Sequence, residues 1–332
     1  MNANTYASPG TTGGNREWLD GKLTILEPEE TPFTSMVAKL NNAKGTLHEC
    51  VADTLRPPRT TGSREGSSGT KGGNRAGKRA RFGAYLHRWF DSFGVTDVQQ
   101  AVSSKGGVAT TSDEYGDAKA KCIREVKRDL EATLLSDLET QGGDDEMQTR
   151  GAFKWCASSQ TPAVPAAYQT PAAQRLTGVA GLNEVGANSI NSVLKSLKTK
   201  GGGGTYHFFL GNDYVEDIDL FTRTGDSGTT ATRYRIQENG KEQAVTMMVK
   251  VFQTSFGRVE VHPDQFIRID SSGVGSATSG LLASMDTWEL NFLETLHSED
   301  DPEDASGQTG WVKAIGGLFC RMPKANATVI NS

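Results

Sequence analysis

Apolar positions along this chain recur at two spacings, and each spacing names an element type. From Tyr115 onward, Ala118, Cys122, Val126, Leu130, Leu134 and Leu138 follow at steps of three or four, which is one stripe of an amphipathic helix. Thr111 and Glu114 form a capping box ahead of it and Gly142-Gly143 stop it. The pattern predicts a helix from about Ser112 to Thr140, roughly 43 Å long at 1.5 Å per residue. Its other face holds Asp113, Asp117, Lys121, Arg124, Lys127, Arg128 and Glu131 and reads as solvated charge with i,i+4 partners. A long helix with one apolar stripe needs a sheet to lie on. A second amphipathic helix is expected over Asn183–Lys198 (Val185, Ile190, Val193, Leu194, Leu197), and a short one over Asp213–Phe221. Near the start, Thr31 can cap a helix with Pro32 at its first position and Phe33, Met36, Val37 and Leu40 at helical spacing.

Strand patterns fill the rest. Tyr206–Leu210 is a buried-type strand, Gln243–Phe252 and Arg258–Pro263 read as two strands turning at Ser255-Phe-Gly257, and Met285–Leu293 and Gly310–Cys320 are both strand-like. Earlier, Gly45–Leu55 places Leu47, Val51 and Leu55 on one side of an extended strand, although Glu49 and Asp53 share that side. Arg81–Phe90 is an aromatic-rich strand. Between these two lies a segment of another kind. From Arg56 to Arg81 there are eight basic residues (Arg56, Arg59, Arg64, Lys71, Arg75, Lys78, Arg79 and Arg81), one acid, six glycines and no Val, Ile, Leu, Met or aromatic residue. Such a stretch has no apolar surface to offset the entropy of ordering it, so a neighbouring subunit is the economical support. Two strands with this 26-residue tip make a hairpin able to project on the order of 40 Å. In the N-terminal arm, Trp18, Leu19, Leu23, Ile25 and Leu26 are too apolar for a free tail, and Trp18, Leu23 and Leu26 are expected to pack on an adjacent subunit or on the base of the hairpin.

Charge sharpens the picture. The chain has 332 residues and net charge −5, yet the basic segment alone carries +7 and leaves −12 for the rest. An acidic body with one basic arm is self-complementary, whereas a nucleic-acid packaging protein would be basic overall. No basic-then-apolar leader opens the sequence and no apolar run approaches the ~20 residues that span a bilayer, so no membrane partner is expected. Cys50, Cys122, Cys156 and Cys320 lack any CxxC spacing and read as free thiols of a reducing compartment.

Candidate chemistry is thin. Gly201–Gly204 lacks the Gly-Lys-Ser/Thr of a phosphate loop and reads as a helix terminator. His48, His87, His207, His262 and His297 stand alone in sequence, and His48 with Cys50 is a chance pair on a strand. Glu299–Asp304 lacks the ligand alternation of a calcium loop and reads as a solvated acidic turn. No catalytic residue, metal ligand or cofactor is expected, and the chain reads as a structural protein, not an enzyme.

The order of these pieces carries a resemblance. Pro28-Glu-Glu-Thr-Pro-Phe33 before the hairpin, Glu125-Val-Lys-Arg-Asp-Leu-Glu131 in the long helix, Arg150-Gly151 after it and Phe256-Gly-Arg-Val-Glu-Val-His-Pro263 late in the chain are similar to the major capsid proteins of tailed phages with the Hong Kong 97 fold. The likeness is to an uncleaved branch without a scaffolding prodomain. It implies an α/β (α+β) capsid fold: an N-terminal arm at 1–42, an extended β-hairpin loop at 43–93, a peripheral domain from 94–175 and 276–332 with the spine helix 112–140 on a β-sheet, and a mixed α/β axial domain at 176–275. Tyr115, Cys122, Val126, Leu130 and Leu134 become the spine-helix core, and the eight basic residues become a subunit interface. The resemblance implies self-assembly through pentamers and hexamers into an icosahedral virion shell, built in the host bacterial cytoplasm around double-stranded DNA without sequence-specific binding. Decoration, portal and scaffolding proteins are the further partners it suggests. The rival readings are an encapsulin-type nanocompartment shell and, from another class, a nucleic-acid-binding protein using residues 56–81.

Overall fold

The computed structural model describes residues 30–53, 58, 60, 62, 65, 79–105, 114–139, 147–183, 186, 189–200, 204–220, 237–239, 242–244, 251–269, 274–301 and 307–331. In chain order the first elements are α1 (Pro32–Met36), β1 (Ala38–Leu40), β2 (Leu47–Ala52), β3 (Ala80–Tyr85), β4 (His87–Thr96), α2 (Asp97–Lys105) and α3 (Glu114–Leu134). There follow α4 (Ala152–Cys156), β5 (Arg175–Thr177), α5 (Ile190–Thr199), β6 (Thr205–Leu210), α6 (Asn212–Leu220), β7 (Gln237–Asn239) and β8 (Glu242–Ala244). The last are β9 (Val251–Thr254), β10 (Gly257–Pro263), β11 (Ser279–Ala283), β12 (Trp288–Asp300), β13 (Gly307–Cys320) and β14 (Ala327–Ile330). Contacts divide the described chain into two units: Asp91–Glu125 with Ser298–Val312, and Glu30–Phe90 with Val126–His297 and Lys313–Ser332.

In the larger unit, a mixed sheet is ordered β5-β14-β11-β6-β10-β9. Alternation along β6 and β10 sends Tyr206, Phe208, Leu210, Val259 and Val261 to one face, where they meet Val193, Leu194 and Leu197 of α5 and Tyr214 and Ile218 of α6. The expected second helix starts later than its pattern, at Ile190, because Ser189 takes the N-cap and accepts from the Ser192 amide at 3.2 Å. The short helix forms at Asn212–Leu220, and β9 and β10 pair antiparallel about Ser255-Phe256. The first expected strand, Gln243–Phe252, is described at its ends alone, Gln243 and Ala244 in β8 and Val251 and Phe252 in β9, and its middle lies outside the described residues. A further sheet is ordered β1-β12-β13-β4, and β1 runs parallel to β12.

Three local expectations change. The long helix ends at Leu134, not near Thr140, and Leu138 is 59% exposed. Hydroxyls compete with the backbone there: Thr133 Oγ1 donates to the Asp129 carbonyl at 2.7 Å and Ser136 Oγ to the Thr133 carbonyl at 2.8 Å. Its expected capping box at Thr111 lies outside the described residues. The strand after the basic segment is two strands, β3 and β4, broken at Leu86, whose amide donates to the Thr46 carbonyl at 2.9 Å. Finally, Thr31 does not cap α1 through its side chain. Glu131 does: its carboxylate accepts from the Phe33 amide at 2.7 Å, from the Thr34 amide at 2.7 Å and from the Thr34 hydroxyl. Glu131 is therefore fully buried, not part of a solvated helix face.

Candidate subunit interface

The hairpin is built by a two-residue alternation. Register pairs His48 with Ala84, Cys50 with Phe82 and Ala52 with Ala80, and this side turns inward. His48 stacks on Phe319 with centroids 4.4 Å apart and planes 5° apart, and Phe82 meets Trp155 edge-on at 6.2 Å. The opposite side carries Glu49, Val51, Asp53, Arg79 and Arg81. Val51 shares this side with Glu49 and Asp53, as the sequence alternation expects, and is 62% exposed, while Leu55 lies outside the described residues. Burying two carboxylates would cost more than burying one valine returns. Gly83 is required where the strands approach, because a Cβ there would lie 2.1 Å from the His48 carbonyl oxygen.

Of the eight basic residues, Arg79 and Arg81 are described. Arg79 Nε lies 3.8 Å from Asp53 Oδ2, and Arg81 pairs with Glu49 across the hairpin. Both charges are thus matched within the ribbon, at ~0–1 kcal/mol each for such exposed pairs. Arg56, Arg59, Arg64, Lys71, Arg75 and Lys78, together with Trp18, Leu23 and Leu26 of the arm, lie outside the described residues.

In the larger unit Val126, Leu130 and Leu134 are buried, and Trp89 of β4 donates its indole N–H to Thr133 at 3.2 Å. In the smaller unit Cys122 is buried, with Sγ 3.7 Å from Asp91 Oδ2. Tyr115 departs from the apolar stripe. Its ring packs beside Phe93 at 5.3 Å, but its hydroxyl donates to Asp300 Oδ1 at 2.9 Å. Lys119 reaches the same carboxylate at 2.8 Å, and these two hydrogen bonds hold the Asp300 carboxyl below its usual range, Lys119 contributing most. Asp300 and its neighbour Asp301, which accepts from Thr309 at 3.2 Å, are thus tied into the fold.

Two polar constellations escaped the sequence pattern. Asp264, buried on the loop after β10, has its carboxyl pushed up to about 8, chiefly by burial and next by the Glu131 carboxylate. Its Oδ1 accepts from the Phe266 amide at 2.8 Å. The second constellation joins histidines read as solitary: His207 Nδ1 and His262 Nε2 lie 3.1 Å apart, with Glu260 Oε2 3.6 Å from His207 Nδ1. The one available signal was Glu260-Val-His262, a spacing that puts both side chains on one face of a strand. Parallel pairing with β6, which sets His207 opposite Glu260, could not be seen in the sequence.

A model of the family described as SU10 major capsid protein matches residues 3–332. The chain belongs to the SU10 major capsid protein family. It is accordingly a phage head-shell subunit that assembles with its own copies and a component of the virion. No curated protein matches it. Among solved structures, it aligns with the cyanophage A-1(L) capsid at TM-score 0.66 and 10% identity, over 96% of this chain and 98% of that one. The cyanophage P-SCSP1u capsid aligns at TM-score 0.54 and 9% identity over 99% of both chains. The SrpI encapsulin of Synechococcus elongatus PCC 7942 aligns at TM-score 0.52 and 8% identity, over 96% of this chain and 92% of that one. At such identities these likenesses speak for the fold, the Hong Kong 97-type α+β fold.

Proposed function

We propose that this capsid protein closes, through pentamers and hexamers, into an icosahedral head around the double-stranded DNA of a tailed phage, with the 56–81 segment laid across a neighbouring copy. The observation that carries the reading is the hairpin: one face is committed to its own subunit, and the other presents Val51 between ion-paired Glu49–Arg81 and Asp53–Arg79. A ribbon with an exposed, charge-matched outer face and a basic tip suits contact with an acidic copy of itself. The N-terminal arm, with Trp18, Leu23 and Leu26, takes the same role at a second contact. Residues 176–275 form the axial domain at the capsomer centre, and 94–175 with 276–332 form the peripheral domain. Portal, scaffolding and decoration proteins join the assembly in the host bacterial cytoplasm, and the subunit itself acts as a structural element without catalysis.

Replacing Arg75, Lys78, Arg79 and Arg81 with Ser tests this. The subunit should stay folded while shell yield falls, most at low salt where screening is least. Arg79 and Arg81 are matched inside the ribbon, so the lost contacts are those of Arg75 and Lys78, and weak contacts repeated over every copy add through multivalency. Shells of unchanged yield and stability, seen by electron microscopy, would refute the interface. The encapsulin fold neighbour sets the second reading: purified particles carrying enzyme cargo instead of DNA would favour it.

A further inference from the structure

We propose that His207, Glu260 and His262 form a binding site for a divalent transition-metal cation of the zinc type. Their donor atoms converge. His207 Nδ1 and His262 Nε2 are 3.1 Å apart, His207 Nδ1 and Glu260 Oε2 are 3.6 Å apart, and all three ligand atoms lie within 4.8 Å of one another. Two nitrogens bound to one tetrahedral zinc at about 2.0–2.1 Å stand about 3.3 Å apart, so the pair already spans one edge of a coordination tetrahedron. Two imidazoles and one carboxylate suit zinc, cobalt or nickel and leave a fourth position for water.

The strands prepare these ligands. Glu260 sits opposite His207 in the parallel β6–β10 register, and His262 lies two residues further along β10 on the same face. That face is opposite the one where Tyr206, Phe208, Val259 and Val261 enter the apolar core. Two of the ligands are also oriented by neighbours. Arg258 Nη2 holds Glu260 Oε1 at 2.8 Å, which leaves Oε2 to face the histidines, and the His262 ring stacks on Phe209 at 5.4 Å. All three residues are half-buried, so a cation can enter and water can complete its shell. Without a cation, two ring nitrogens at this separation must share one proton as donor and acceptor. With one, both lone pairs point at it, and β6 is cross-linked to β10 through a bridge that closes the chain between them.

The full-length protein, stripped with a chelator and dialysed, is titrated with Co²⁺ as the spectroscopic probe. One equivalent per chain should bind with the visible bands of a four-coordinate ion, and Zn²⁺ should displace it. His207→Gln and His262→Gln should abolish the bands, Glu260→Gln should weaken binding by at least about tenfold, and His297→Gln should change nothing. X-ray absorption on the wild-type zinc form should show two imidazole ligands, a reading that needs no variant to fold. No stoichiometric binding, binding retained in His262→Gln, or an absorption spectrum without imidazole would overturn the site. The shell reading does not depend on this outcome, because particle formation is scored separately.

Discussion

Asp264 and Glu131 are two buried carboxyl groups in one site, so replacing Asp264 with Asn should stabilise the capsid protein, and by an amount that depends on pH. In the folded chain the Asp264 carboxyl titrates near 8, against 3.8 for the unperturbed group, with burial the larger cause and Glu131 the next. The folded state therefore retains a proton that the unfolded state releases above about pH 4. Stability must fall as pH rises from 3.8 to about 8, by ~1.36 kcal/mol per unit, and level off beyond. At pH 7 the ceiling on this penalty is roughly 4 kcal/mol, reduced by whatever relaxation the loop allows. Asn keeps the oxygen that accepts from the Phe266 amide, and its amide N–H₂ supplies without titrating the hydrogen bond that the protonated acid makes to Glu131. Denaturant melts of wild type and Asp264→Asn at pH 5, 7 and 8.5 read the difference. The gap should be smallest at pH 5, where its ceiling is about 1.6 kcal/mol, and widen by a few kcal/mol at pH 8.5, with Asn the more stable. Parallel curves at all three pH values, or a less stable Asn variant at pH 8.5, would refute the reasoning.

Other substitutions test neighbouring parts of the same unit. Glu131→Ala removes the acceptor for the Phe33 and Thr34 amides; two charge-assisted hydrogen bonds at ~1.5–3 kcal/mol each set the loss, and hydrogen exchange at those two amides should accelerate, whereas unchanged protection would show that α1 is held by Phe33 packing alone. Leu130→Ala, in the buried stripe of α3, should destabilise by ~2–5 kcal/mol in denaturant melts, and no measurable loss would contradict the packing of that stripe. Arg150→Met should cost ~3–5 kcal/mol by leaving the nearly buried Glu139 carboxylate without the guanidinium that pairs with it, and a neutral result would mean that Lys154, 3.9 Å away, suffices.

Periodicity by itself determined where most elements lie and which of their faces are apolar. Val126, Leu130 and Leu134 are buried because a 3.6-residue repeat leaves one stripe no other place, and Tyr206-His-Phe-Phe-Leu210 is a strand because no helix of that length could hide it. The order of arm, hairpin, long helix and late strands likewise carries the resemblance to the capsid fold. Polarity at single positions was decided by tertiary structure. Glu131 looks like any solvated helix residue in one dimension; it is buried because α1, 97 residues earlier at Thr34, brings unpaired amides that need a carboxylate. Val51 looks like a core residue and is exposed because Glu49 and Asp53 lie on its side of the ribbon. His207 and His262, 55 positions apart, become neighbours only when two strands pair in parallel, and that register is set by long-range packing of alternate residues onto α5 and α6. Local spacing carries the identity of an element and its apolar face. Which distant polar group meets which is a property of the crossover connections and of the partners they bring within hydrogen-bond reach.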